Sequence, residues 1–281
     1  MGDIAQEGTT VDNAFTVRKW QFGIAYDGTS FNGWQVQPGQ RTVQGEVLDR
    51  LRRIFGDPEL RLYGMSRTDS GVHALDQQAS FTAASPPGMD AERLRYILNR
   101  WLPASIKITH AREAEPDFHA RHSAKGKGYT YVLYTGDKIN PLFANYVWSC
   151  AWKIDIARMQ QAAKHFEGLQ DFGSFATNAN REISTFVREL HRVEVLPIGD
   201  LVCFNVVGKS FLYKMVRAIV GWLVFVGRGM AEPDDTLRVL QARDRCAADA
   251  SAPAQGLFLA KAFFDENEWR DYTPKLPPFT W

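Results

Sequence analysis

Cysteine is scarce in this sequence. Its 281 residues hold three, Cys150, Cys203 and Cys246, far apart and without paired spacing. That argues against a disulfide framework and a cysteine zinc site, and it fits a reducing compartment. An excess of one charge is also missing: 33 Lys and Arg against 32 Asp and Glu leave a net charge of +1. No global field draws such a chain to nucleic acid, so any RNA or phosphate site must be a local patch. Long hydrophobic runs are absent too. The longest, MVRAIVGWLVFVG (Met215–Gly227), is short for a membrane span and contains Arg217, so a buried helix is expected and no membrane partner. Residues 1–17 carry Asp3, Glu7 and Asp12 but no Lys or Arg, which fits neither a secretory leader nor a transit peptide. A disordered tail is expected there. A cytoplasmic location follows from the same reading, with an organellar one left open. YDGTSFNGWQ (Tyr26–Gln35) lacks GxGxxG spacing, so a dinucleotide site is unsupported. His110, His119 and His122 have no acidic or cysteine companions, so no metal site is expected.

What is present reads as a soluble globular protein, 45% hydrophobic and 23% charged. Trp20–Asp27 alternates like a strand, and Val43–Phe55 places Val43, Val47, Leu48, Leu51 and Ile54 on one helical face. Strands are predicted at Glu59–Met65, Gln77–Thr82 and Ile106–Arg112, with a helix from the Asp90 cap to Trp101. The order then recurs: a strand at Tyr129–Tyr134, a helix at Ile156–Phe166, a strand pair at Thr185–Leu196 and Leu201–Val207, a long helix at Phe211–Val226, an extra short helix at Asp234–Arg243, and a strand at Leu257–Phe264. Each half reads β-α-β-β-α-β. The predicted class is α+β: two ferredoxin-like halves with antiparallel sheets meeting around a central cleft. The expected divisions are a tail at 1–17, domains at 18–124 and 125–267, and an irregular, proline-rich tail at 268–281.

SRTDSGVHAL (Ser66–Leu75) joins two apolar runs and packs Arg67, Asp69 and His73 into seven residues. Asp-Ser-Gly is good turn chemistry by itself. A turn does not require Arg67 or His73, however, and a cation beside a carboxylate favours its ionised, nucleophilic form. No second carboxylate sits in a comparable motif, so a paired-carboxylate glycosidase is disfavoured. His73 is either a hydrogen-bonded loop residue or a ligand-binding one. Downstream, FHARHSAKGKGYTYVLY (Phe118–Tyr134) puts Arg121, His122, Lys125 and Lys127 ahead of an aromatic strand. The run is either a solvated face or a grip for phosphates beside a base-stacking ring. Tyr129 and Tyr131 share a face, as core or as pocket lining. In FLYKMVRAIVG (Phe211–Gly221), Lys214 and Arg217 lie three apart on an otherwise apolar helix. A charge there needs a partner, either a surface acid reached by snorkelling or Asp69.

Taken together, YDGTSFNGWQ, RTVQGEV, SRTDSGVHAL, FHARHSAKGKGYTYVLY, FLYKMVRAIVG and APAQGLFL, in that order over about residues 20 to 265, resemble the tRNA pseudouridine synthase A family. The resemblance implies a homodimer whose basic cleft receives the anticodon arm of tRNA. It implies isomerisation of uridine to pseudouridine, typically at tRNA positions 38 to 40, without cofactor or metal. It assigns Asp69 as the catalytic aspartate, Tyr129 as the ring that stacks on the target base, Arg217 as the partner of the catalytic carboxylate, and Arg67 as the residue implicated in flipping the nucleotide out. His73, Arg121, Lys125, Lys127 and Lys214 are the candidate substrate contacts around them. Two positions depart from the family pattern: Ser66 replaces the usual glycine before RTD, and Asp76 replaces a small residue, adding negative charge near the cleft.

Overall fold

A computed structural model describes residues 14–177, 184–248 and 251–274. The chain runs β1 (Thr16–Tyr26), α1 (Val43–Phe55), β2 (Tyr63–Gly64), β3 (His73–Ser85), α2 (Ala91–Trp101) and β4 (Ile106–Glu113). It continues through β5 (Gly126–Tyr134), β6 (Trp148–Ser149), α3 (Ile156–Lys164), β7 (Gly168–Asp171), β8 (Val187–Ile198) and β9 (Leu201–Gly208). The last elements are α4 (Met215–Gly227), α5 (Asp235–Ala242), β10 (Leu257–Phe263) and α6 (Glu268–Asp271).

Local chemistry sets the helix ends. The Thr42 side chain accepts the Gly45 N–H at the start of α1, and Gly56, at φ 64°, closes its end by donating back to Arg52. Between them Val43, Val47 and Leu51 are fully buried. Asp90 caps α2 by accepting the Arg93 N–H at 2.8 Å. The β8–β9 hairpin turns at Gly199, at φ 58°. Every residue of β9 is buried, as its near-continuous apolar sequence LVCFNVVG requires of a strand covered on both faces.

All ten strands join one mostly antiparallel sheet, in the order β4-β1-β3-β10-β5-β9-β8-β7, with β2 added beside β3 and β6 beside β5. The α+β class is therefore confirmed. The chain's first and second halves meet where β10 runs parallel to β3 for two residues, Phe258 opposite His73 and Leu259 opposite Ala74. Beyond that short join the Asp76 carboxylate substitutes for strand pairing, accepting the Ala262 N–H at 3.1 Å. Asp76 also lies 3.8 Å from Lys261 and accepts from Gln78, so its charge is engaged at the sheet seam.

Several boundaries move from their expected places. Only Tyr63–Gly64 of the predicted Glu59–Met65 strand is extended in the sheet, whereas β3 is longer than expected, reaching back to His73. The long apolar helix starts at Met215, not Phe211, because Lys214 adopts a left-handed conformation (φ 60°, ψ 8°) that a helix cannot continue through. β1 begins at Thr16, inside the segment expected to be a tail; residues 1–13 lie outside the described residues. Part of the expected irregular terminus is the helical turn α6, and residues 275–281 lie outside the described residues. Among the described residues no helix is long and apolar enough to cross a membrane.

Candidate active site

The Ser66–Val72 loop enters β3 and is held from two sides. Gln77, fully buried on β3, accepts the Ser66 N–H at 3.2 Å and donates to the Ser66 carbonyl at 2.6 Å. From the other side the Tyr26–Gln35 loop supplies a backbone frame. Trp34 N–H donates to Thr68 O at 3.1 Å, while Phe31 O accepts both Gly71 N–H at 3.3 Å and Ser70 Oγ at 3.2 Å. Tyr26 Oη and Thr68 Oγ1 are hydrogen-bonded at 2.8 Å. Two glycines permit this approach: a side chain at Gly28 would collide with the Val72 carbonyl, and one at Gly33 with the Thr68 carbonyl. Asp69 itself opens a turn, its carbonyl accepting the Val72 N–H at 3.2 Å with Gly71 at φ 77°.

Arg217, in the first turn of α4, reaches this loop. Its Nη1 donates to Asp69 Oδ2 at 3.0 Å, and the two side chains are 15% and 14% exposed. The guanidinium is aimed by a second bond, Nε to Ala252 O at 2.7 Å, while Ala252 N–H returns a bond to Arg217 O at 2.9 Å. Fixed geometry and limited solvent make this a charge-assisted pair rather than a fluctuating surface contact. Of the two partners open to Arg217 from sequence, Asp69 is the one found.

Asp69 and Arg217 line a recess of about 60 Å³ together with Arg67, Tyr129, Phe211 and Lys214. The recess shares Arg67, Tyr129 and Phe211 with a wider cleft of about 760 Å³, whose wall also carries Arg121, His122 and Lys127. Tyr129 is buried at 7% exposure, edge-on to Phe211 with ring centroids 5.0 Å apart. Burial is the main cause that pushes its phenol up to about 12, with the Asp69 charge adding to it. Its Oη lies 3.1 Å from Ser66 Oγ, which also accepts from Lys127 Nζ at 3.3 Å. Burial, and secondarily the neighbouring Arg121, lowers Lys127 to about 8. Arg67 is exposed and donates Nε to Gln35 Oε1 at 3.2 Å. Lys214, partly exposed, places its ammonium 5.2 Å from the Tyr213 ring centre.

The structure thus brings Asp69, Arg67, Tyr129, Arg217, Arg121, Lys127 and Lys214 around two cavities that share part of their walls. Two predicted residues stand apart. His73 is 1% exposed: its Nδ1 accepts the Gly28 N–H at 3.0 Å, and its Nε2 faces the Asn145 and Gln255 carbonyls at 3.0 and 3.1 Å. Nδ1 also lies 3.2 Å from Asp27, yet burial outweighs that carboxylate and lowers the imidazole's pKa. This is the hydrogen-bonded loop residue of the two readings. Lys125 points to Glu266, 3.6 Å away, and does not line the cleft. Gln77 lies outside the motifs, and Gln35 and Ser66 lie within them without an assigned role; what the three do emerges only from three-dimensional contacts. Among the described residues no group of three or more His, Cys, Asp and Glu side chains is placed to hold a metal ion.

A carboxylate tethered to an arginine, beside a buried tyrosine and a basic cleft, is an arrangement suited to covalent or acid–base chemistry. Comparison with known proteins supplies the family. The family model described as "tRNA pseudouridine synthase" matches residues 162–265, which include Arg217. The tRNA pseudouridine synthase A of Geobacillus kaustophilus is 40% identical over 247 residues, covering 87% of this chain and 93% of that protein. That of Maridesulfovibrio salexigens is 42% identical over 247 residues, covering 87% and 89%, and that of Limosilactobacillus fermentum 39% over 254 residues, covering 89% and 97%. A chain from an archaeal box H/ACA sRNP complex superposes at a TM-score of 0.31 with 14% identity, over 73% of this chain and 44% of that one, too weakly to carry an argument. The chain belongs to the tRNA pseudouridine synthase A family, whose members are isomerases.

Proposed function

We propose that this protein isomerises uridine to pseudouridine in the anticodon arm of tRNA, at positions 38 to 40, with Asp69 as nucleophile. The reaction breaks the C1′–N1 glycosidic bond and forms C1′–C5, while C5 gives up a proton and N1 gains one. No electron leaves the substrate, so side chains alone suffice. The observation that carries the reading is the Asp69–Arg217 pair at 3.0 Å on the wall that Tyr129 shares. Arg217 presents the carboxylate to the ribose, and Tyr129 gives the detached uracil a platform on which to turn. Arg67, exposed at the recess mouth, fills the space left by the flipped nucleotide. Arg121, Lys127 and Lys214 supply the local positive patch that a net charge of +1 otherwise lacks. His73 serves the site as scaffold, and Lys125 pairs with Glu266 instead of lining the cleft.

We also infer that 18–124 and 125–267 are two ferredoxin-like units. The strand orders β4-β1-β3-β2 and, with the short strands β6 and β7 set aside as additions, β10-β5-β9-β8 support this, each being the fourth, first, third and second strand of a β-α-β-β-α-β unit. A homodimer in the cytoplasm completes the proposal. The target is tested by supplying tRNA transcripts in which uridines 38, 39 and 40 are replaced by cytidine one at a time and all together. Pseudouridine formation is expected to disappear only when every accessible uridine among the three is gone. Undiminished formation in the triple replacement would refute the target.

A further inference from the structure

Ser66 stands where the resemblance leads one to expect glycine, and its hydroxyl is engaged. Ser66 Oγ lies 3.1 Å from Tyr129 Oη and 3.3 Å from Lys127 Nζ. A serine hydroxyl offers one donor and two acceptor positions, so it can accept from the ammonium and still bond the phenol. Lys127 and Tyr129 are two residues apart on β5 and therefore project from the same face. Ser66 is fixed independently of both, through its backbone, by the buried Gln77. The hydroxyl is thus a rigid point on the Asp69 loop to which the tip of the Tyr129 ring is tied.

We propose that Ser66 is a positioning residue for Tyr129: it fixes the ring through its hydroxyl and ties the Lys127 ammonium to the same point, so that the platform and the nucleophile loop keep one geometry. The inference rests on the reading of Tyr129 as the base platform. Phe211 meets the ring edge-on at 5.0 Å, an apolar contact without directional anchoring. The Ser66 bond adds a directional contact at the phenol tip, which opposes displacement of the ring by rotation about Cα–Cβ. Because Ser66 is three residues from Asp69, the tether also links the ring to the loop that presents the carboxylate. A glycine at this position would leave the phenol and the ammonium without this partner. The role is one of orientation, so it acts on the chemical step rather than on tRNA capture.

The test uses full-length protein and an unmodified tRNA transcript, with single-turnover rates and tRNA Kd measured side by side. Ser66→Ala removes the hydroxyl and keeps Cβ; Ser66→Thr keeps the hydroxyl. Ser66→Ala is expected to slow the single-turnover rate on the order of tenfold with Kd changed less than twofold. Ser66→Thr should stay within twofold of the parent. Tyr129→Phe, which keeps the ring but loses the tether, should match Ser66→Ala, and the double variant Ser66→Ala/Tyr129→Phe should be no slower than either single variant. Full activity in Ser66→Ala overturns the proposal, as does multiplication of the two losses or a failure of Ser66→Thr to restore the rate. Tyr129→Leu separates this proposal from the reading beneath it. If Tyr129→Leu is as active as Tyr129→Phe, the platform assignment fails. If only Tyr129→Leu is defective while Ser66→Ala is normal, the platform stands and the tether falls.

Discussion

Arg217 Nη1 meets Asp69 Oδ2 at 3.0 Å across 148 residues of sequence, and this contact ties the second half of the chain to the loop of the first. The same guanidinium also donates to Ala252 O at 2.7 Å. A lysine cannot make both bonds from one planar fork. Arg217→Lys is therefore expected to keep the charge yet lower kcat on the order of 100-fold, because the carboxylate loses its aim. Steady-state kinetics on a tRNA transcript check this; a loss under threefold would show that charge alone suffices.

The loop depends equally on its neighbour. Gly33 sits at φ 79°, with any Cβ directed at the Thr68 carbonyl, one residue before Asp69. Gly33→Ala should destabilise the fold by about 2 kcal/mol through left-handed strain and the clash. It should also reduce activity at temperatures where the variant remains folded. Urea unfolding and single-turnover rates together measure both effects, and a folded variant with normal rates would separate this frame from catalysis.

Lys127 gives a pH signature. An unfolded lysine titrates at its ordinary 10.5, whereas burial lowers the folded group to about 8. Between those values the unfolded chain holds the extra proton, so the group's contribution makes stability rise with pH across the window and leaves it lowest below about 8. Lys127→Met removes the cost of burying the charge. The variant should be more stable than the parent at pH 7, with the difference shrinking as pH rises toward 10.5, while tRNA binding weakens. Urea midpoints at pH 7 and pH 10 decide it; a variant less stable at pH 7 contradicts the account.

Phosphate contact should appear in the salt response. tRNA affinity is expected to fall steeply and linearly on a log–log plot of Kd against salt. Arg121→Gln should reduce the magnitude of that slope by about 1. A flat response in the parent, or an unchanged slope in the variant, would remove the cleft wall from RNA recognition.

How much of this was legible in the sequence depended on how local the cause was. The limits of α1 at Val43 and Phe55 were readable because a threonine cap, an apolar stripe and a following glycine all lie within fifteen residues. Asp69, Tyr129 and Arg217 stood out because their motifs are dense and ordered along the chain. The start of α4 was not readable: Phe211, Leu212 and Tyr213 look as helical as the residues from Met215 onward, and only Lys214's left-handed backbone ends the pattern. His73 stayed open between two readings for a related reason. Its partners, Gly28, Asn145 and Gln255, are distant in sequence and could be found only by folding the chain. Gln77 and Ser66 belong to the same class: plain polar residues that hold others in place.

In the proposed reaction Asp69 performs the chemistry. Pseudouridine mapping on unmodified tRNA transcripts, with the parent and Asp69→Ala measured side by side and tRNA binding confirmed for both, tests it most directly. New pseudouridine is expected in the anticodon arm with the parent and none with Asp69→Ala, with similar binding by the two. Pseudouridine made by Asp69→Ala would contradict the nucleophile assignment, and binding without pseudouridine from either protein would mark the chain as an RNA binder rather than an isomerase of this substrate.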